Sequence, residues 1–242
     1  MRRLYPTSGE NSVTPSDYAR WRASRLGAAI ERLETRLIFD LASPLAGKRV
    51  LDVGTGDGTY AIGAAARSAR VTALDLDRGM LAAAKARADE LGLELTLRRG
   101  RAERLPFGDA SFDVVLAVTV LCFVPDAQAV LREMARVLAP GGRLVLGELN
   151  RWSLWAARRR VRGWLGNRTW RSARFRSRWT LACLAGGAGL RVGRTRGAVF
   201  LPPWGAAAPV LAPLDHLLTR LHAPGGAFLA LAADKPLNGH RR

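Results

Sequence analysis

Three glycines at alternate positions, Gly54, Gly56 and Gly58, follow Asp52 in the stretch 50-VLDVGTGDGTY-60, at the end of a run of β-formers. Glycine at that density lets the backbone turn sharply and lets a ligand approach it closely. A second acid, Asp75, ends the next β-rich run, 71-VTALDLD-77. A carboxylate about 20 residues beyond a glycine turn can accept hydrogen bonds from both hydroxyls of a ribose. A dinucleotide, a nucleoside triphosphate and S-adenosylmethionine (SAM) each suit such a turn. The triphosphate loop needs a Gly-Lys-Ser/Thr ending, which the chain lacks. The dinucleotide fingerprint G-x-G-x-x-G needs glycine at 59, where the chain has Thr59. The Asp75 geometry serves NAD and SAM alike.

Groups able to take a proton are few: His216, His222, Tyr18 and Cys122, with His240 close to the C-terminus. His216 and Tyr18 stand as the catalytic candidates, against the plain alternative of packed or surface residues. Two cysteines, Cys122 and Cys183, are too few for a disulfide framework or a metal site. They read as partly buried thiols in a reducing cytoplasm, and no metal is expected. The first residues lack an apolar run behind their basic pair, so a cleaved secretory signal is not expected. No apolar run approaches the ~18 residues of a spanning helix.

Positioning these groups requires alternating elements. Strands are predicted over 49–53, 70–74, 93–98, 112–118 and 143–149. Helices are predicted over 59–68, 80–91 and 127–138, with Pro140-Gly141-Gly142 as the stop and turn. Alternation of this kind implies βαβ units and a parallel sheet covered on both faces. Residues 17–41 read as helical, with Ile30, Leu33, Leu37 and Leu41 on one face. Residues 152–165 and 178–188 also read as helices, and 190–200 and 227–233 as closing strands. The expectation is one α/β domain over 1–242. It has a helical flap (1–46), a ligand-binding core (47–149) and a cleft cover with closing strands (150–242). The sheet is Rossmann-like and doubly wound, mostly parallel, with seven strands, the last one antiparallel.

The stretch 100-GRAERLPFGDASFDVVLAV-118 fits the pattern G-[DN]-A-E-x-L-P-F-x-D-x-[ST]-F-D at nearly every position, and 137-VLAPGGRLVLGE-148 follows it. With these motifs the chain resembles the class I SAM-dependent methyltransferases, in the small-molecule branch that includes the quinone-biosynthesis C-methyltransferases. The resemblance runs from about Tyr18 to Leu149. It implies SAM as cofactor, with its amino and carboxylate groups over Gly54, Thr55, Gly56 and Asp57 and its ammonium close to Asp52. Asp75 would take the ribose and Leu76 would lie against the adenine. The backbone N–H of Ala102 would reach an adenine nitrogen, with Glu103 adjacent, and Val118 would line the methionine side. Arg101 departs from the family's Asp or Asn and would lie flat over the adenine instead. In the stretch 17–34, Tyr18, Trp21, Gly27 and Glu31 or Glu34 fit the family's flap over the cofactor. An ordinary amphipathic helix is the alternative.

The formal charge is +18. Between 149 and 214 lie 13 arginines and no acid, and the stretch 150–179 holds five of the seven tryptophans. Wound as a helix, Leu154, Ala157, Val161, Trp164 and Leu165 share one side, and Arg158, Arg159, Arg160 and Arg162 take the rest. A one-signed block suggests an acidic partner. The open readings are a cationic lid for a small acidic substrate, an interfacial helix on an anionic membrane, a nucleic-acid surface, and a solvated arginine face. No nucleic-acid recognition module accompanies the third. Asn150, Trp152 and Trp155 lie nearest the fifth strand end and are the candidate acceptor contacts. The expected function is SAM-dependent methylation of a small acidic or lipid-soluble molecule in the cytoplasm, free or at the membrane periphery; the alternatives are a nucleic-acid methyltransferase using the arginine- and tryptophan-rich segment and a non-catalytic SAM-fold binding protein.

Overall fold

Seven strands form one sheet in the order β3-β2-β1-β4-β5-β7-β6. The computed structural model describes residues 14–202, 214–215, 217–221 and 223–237, without the Arg168 side chain. β1 (Arg49–Val53) pairs in parallel with β2 (Arg70–Asp75) and with β4 (Phe112–Val118). β3 (Thr96–Arg99) extends the sheet beyond β2, and β5 (Leu138–Leu149) extends it beyond β4, both in parallel. β7 (Phe228–Asp234) runs antiparallel between β5 and β6 (Arg191–Ala198). The doubly wound sheet with its reversed last strand is therefore as expected. The strand order reverses between β1 and β4, and such a switch point opens a crevice at the carboxyl ends of the strands.

Helices cover both faces. On one, α5 (Ala127–Val137) buries Val130, Leu131, Met134 and Val137, and α8 (Arg178–Gly187) buries Leu181 and Ala185. On the other, α2 (Arg25–Ala42) buries Ile30, Leu37, Ile38 and Leu41, with Leu33 partly covered. α3 (Thr59–Ala65) and α4 (Arg78–Glu90) carry the crossovers after β1 and β2. Among the described residues no helix is long and apolar enough to cross a membrane.

Several boundaries differ from the sequence reading. The helix expected over 17–41 is two, α1 (Pro15–Ala23) and α2, broken at Ser24. The Ser24 hydroxyl donates to the Trp21 carbonyl at 2.6 Å and accepts the Gly27 N–H at 3.0 Å, ending one helix and capping the next. Gly27 permits this corner, because a Cβ there would collide with the Trp21 carbonyl oxygen. β3 starts at Thr96, where pairing with Thr72 begins, rather than at 93. Pro140, Gly141 and Gly142 do not separate helix from strand. Leu138 already pairs with Phe112, and the chain bulges before Arg143 meets Val114. A short helix, α7 (Arg168–Ser172), was not anticipated. Cys183 is exposed rather than partly buried, Cys122 is buried, and both are free thiols.

In α6 (Leu154–Trp164) the expected apolar stripe exists and faces outward, and the buried positions are Ala156 and Gly163.

Candidate active site

The glycine turn sits at the carboxyl end of β1. Gly54, Gly56 and Gly58 have φ of +69°, +55° and +87°, a region that side chains with a Cβ rarely adopt. The three have different neighbours. A Cβ on Gly54 would lie 2.6 Å from Val120 Cγ2, and one on Gly58 would lie 2.9 Å from Ala84 Cβ. At Gly56 an added Cβ would meet nothing within 4 Å, so this is the open side of the turn.

Two carboxylates flank that opening. Asp52 is 1% exposed and accepts the Thr55 hydroxyl at 2.6 Å. Burial, helped by the nearby Asp75 charge, pushes its carboxyl up to about 7, against the pull of the Thr55 hydrogen bond. Asp75 is half-buried and accepts the N–H groups of Gly56 at 2.8 Å and Asp77 at 2.9 Å. Most of the turn's own donors are engaged within the protein. Gly54 N–H and Thr55 N–H both reach the Leu74 carbonyl, at 2.7 and 3.0 Å, and Gly58 N–H reaches the Thr55 carbonyl at 3.0 Å. A phosphate cradle works by aiming free backbone N–H groups at the anion. Here four such groups are engaged and two carboxylates stand beside the opening. The turn suits a cationic, hydroxyl-bearing ligand better than a pyrophosphate.

The flap is anchored on this turn. Asp57, 4% exposed, forms ion pairs with Arg22 of α1 and, at 3.2 Å, with Arg87 of α4. Arg22 also donates to the Thr59 hydroxyl at 3.0 Å. α1 has no fully buried residue, though Trp21 packs partly buried against the core, and these polar contacts and the α2 corner add to its hold. Tyr18 on α1 is 39% exposed. Burial first, then the Glu34 and Asp57 charges, raise its hydroxyl above the ordinary tyrosine range. Such a group donates a hydrogen bond and does not serve as a base near neutrality.

A third layer comes from elements remote in sequence. Glu34 on α2 is pushed up to about 7 by burial, opposed by the Arg159 charge and reinforced by Glu31. Arg159 on α6 has Glu34, Cys122 and Tyr18 as its electrostatic neighbours, and burial lowers its basicity. Its guanidinium lies 4.9 Å from the Trp170 ring centroid and 5.4 Å from that of Trp155. Cys122 follows the carboxyl end of β4, with its thiol raised well above the usual range by burial and then by Glu148. Arg159 thus couples the cover electrostatically to Glu34 on α2 and to Cys122 beyond β4. Beneath it, Glu148 accepts the Leu121 N–H at 2.7 Å, and its carboxyl is pushed up to about 7 by burial against the pull of Arg176.

The other sequence candidates fall as follows. Val118 is buried at the end of β4. Leu76 is half-buried, and its carbonyl accepts from Arg99 at 3.1 Å. Ala102 packs against the core, and Arg101 pairs with Glu103 at 3.7 Å. The following Phe107 and Asp109 have packing roles. Phe107 stands edge-on to Phe112 at 5.1 Å, and Asp109 holds Arg136 at 2.8 Å. Asn150 is buried with its amide bound to Gly226 O at 2.7 Å and Trp152 N at 3.1 Å, so it fastens the strand end. Trp152 is 67% exposed, with the Arg151 guanidinium 5.2 Å from its ring centroid. Trp155 is half-buried, with its indole N–H on the Leu201 carbonyl at 2.7 Å. His216, His222 and His240 lie outside the described residues. Sequence reasoning missed Arg22 and singled out Arg159 only as one of a run. It placed Glu34 in the flap without a chemical role.

The family model for the methyltransferase domain matches residues 51–146. The 27-O-demethylrifamycin SV methyltransferase of Amycolatopsis mediterranei is 41% identical over 127 residues, 50% of this chain and 47% of the relative. The ubiquinone biosynthesis O-methyltransferase of Dechloromonas aromatica is 40% identical over 117 residues, 47% of this chain and 49% of the relative. The chain spans about half the length of the curated relatives it matches. The solved SAM-dependent methyltransferase of Thermotoga maritima, described as a possible histamine N-methyltransferase, has the same fold. It superimposes with a TM-score of 0.66 at 23% identity, covering 91% of this chain and 95% of that one. The family match runs from β1 to β5, and the order of the seven strands gives the chain the fold of the solved SAM-dependent methyltransferases.

Proposed function

We propose that this protein binds SAM at the β1–β4 switch point and methylates a small, acidic acceptor in the cytoplasm. The observation that carries the reading is the glycine turn. Four of its N–H donors are internally engaged, with the Asp52 carboxylate bound to Thr55 and the Asp75 carboxylate bound to Gly56. In this reading Asp52 receives the ligand's ammonium and Asp75 its ribose hydroxyls. Leu76, Ala102 and Glu103 border the adenine, and Val118 borders the methionine chain.

SAM, when bound, supplies an electrophilic methyl group on a sulfonium. The protein's task is to align a nucleophile with that methyl and to exclude water. The flap, fastened through Arg22 to Asp57, closes one side. Arg159, steadied by Trp155 and Trp170, has no hydrogen bond or ion pair to another described residue. It is suited to hold an anionic group of the acceptor by a charge-assisted hydrogen bond. Glu34, titrating near neutrality beside it, can take the proton of a hydroxyl or amine nucleophile.

Calorimetric titration with SAM, S-adenosylhomocysteine and NADH tests the cofactor. SAM and its demethylated product are expected to bind, and NADH is not. Asp75→Ala should weaken SAM binding by about 1–3 kcal/mol, the value of hydrogen bonds to a charged group. NADH binding tighter than SAM overturns the reading. Labelled SAM incubated with a metabolite extract then identifies the acceptor by mass spectrometry, and a labelled product lacking any acidic group removes the role given to Arg159.

A further inference from the structure

α6 presents its faces in reverse of a core helix. Toward the protein it turns Ala156 and Gly163, both buried, and an added Cβ on Gly163 would come within 3.0 Å of the α7 backbone. On the opposite side stand Leu154, Val161 and Leu165, seven and four residues apart and so aligned along one helix face. They are 64%, 47% and 81% exposed, and the neighbouring Trp164 is 83% exposed. An exposed apolar stripe of this length marks a binding surface.

Charge selects the occupant. Arg158 and Arg162 flank the stripe, within a segment of 13 arginines and no acid. A second copy of the chain would bring the same charge to the contact and repel it. A nucleic acid would match the positive charge but offers no apolar layer for Leu154, Val161 and Leu165. A bilayer with anionic headgroups offers both, phosphate at the level of the arginines and hydrocarbon just below. We infer that α6 docks on an anionic lipid surface, apolar face down, with Arg158 and Arg162 among the headgroup phosphates. Docking stands apart from methyl transfer. If the proposed acceptor site also holds, Arg159 on the inward side of the same helix opens that site beside the bilayer, where an amphiphilic acid could reach it.

Flotation of the full chain with vesicles tests the inference. With phosphatidylcholine and phosphatidylglycerol in equal parts, the protein should float with the vesicles, and rising salt should release it. With phosphatidylcholine alone it should stay behind. Leu154→Ser, Val161→Ser and Leu165→Ser combined change only exposed positions, so melting temperature and SAM affinity should hold while vesicle affinity falls about tenfold or more. Arg158→Gln with Arg162→Gln should cost about twenty-fivefold, since each charge near an anionic surface is worth about fivefold. Three outcomes overturn the inference. One is a wild-type chain absent from the floated fraction at low salt. Another is a serine variant that floats like wild type. The third is a wild-type chain that retains an RNA oligonucleotide with the same arginine dependence while ignoring vesicles.

Discussion

The buried acid beneath the glycine turn should make cofactor binding release a proton. Asp52 is 1% exposed, and burial carries its carboxyl from the ordinary 3.8 to about 7. At about 1.4 kcal/mol per pH unit, burial disfavours the charged form by about 4 kcal/mol. A cationic ammonium placed against Asp52 favours that charged form, so its folded-state value drops on binding. The sign is then fixed. Below about pH 7 the free protein holds the proton and must release it, so affinity rises about tenfold per pH unit up to that point and levels off above it. At pH 6 about 0.9 proton should leave per SAM bound through this group, and at pH 8 about 0.1. Calorimetry in buffers of different ionisation enthalpy counts those protons directly. Asp52→Asn keeps the shape and an acceptor for the Thr55 hydroxyl, and it should abolish the difference between the two pH values. Glu34 and Glu148 also titrate at about 7, which makes the comparison with the Asn variant decisive. Equal proton release at pH 6 and pH 8, or release unchanged in a folded Asn variant, would refute the reasoning.

Two further outcomes are expected. Arg22→Ala removes the main tie between α1 and Asp57 but leaves Arg87 in place, so the core should keep most of its stability. Amide exchange over Pro15–Ala23 should rise and SAM affinity should fall, and unchanged protection there would show that the flap is held by something else. Arg159→Gln should raise the KM for an acidic acceptor about tenfold to a hundredfold, the worth of one charge-assisted hydrogen bond, with SAM affinity unchanged. An equal loss for a neutral acceptor analogue would show that Arg159 acts on packing.

The sequence by itself determined what depends on near neighbours along the chain. Alternation of β-rich runs and helical periods specified the doubly wound sheet. The spacing Asp52-x-Gly54-x-Gly56-x-Gly58 specified a turn after β1, because left-handed backbone at three positions admits little else. The acid at the end of β2 follows from the same strand geometry, and the structure brings its carboxylate to Gly56 at 2.8 Å. Only tertiary structure decided which distant charges meet. Arg22, Glu34 and Arg159 belong to three helices, and no local pattern distinguishes them from the other arginines and glutamates. Adjacency in sequence also misdirects, since Asn150 and Trp152 both follow β5. One is locked into backbone hydrogen bonds and the other points to solvent. Periodicity gave α6 an apolar stripe but not a direction for it. That direction was set by Ala156 and Gly163, which are small enough to let the helix approach α7 and leave its leucines in water. Desolvation has the same origin: Asp52 and Glu34 titrate at about 7 because the assembled chain withholds water from them, a property of the enclosure rather than of residue type.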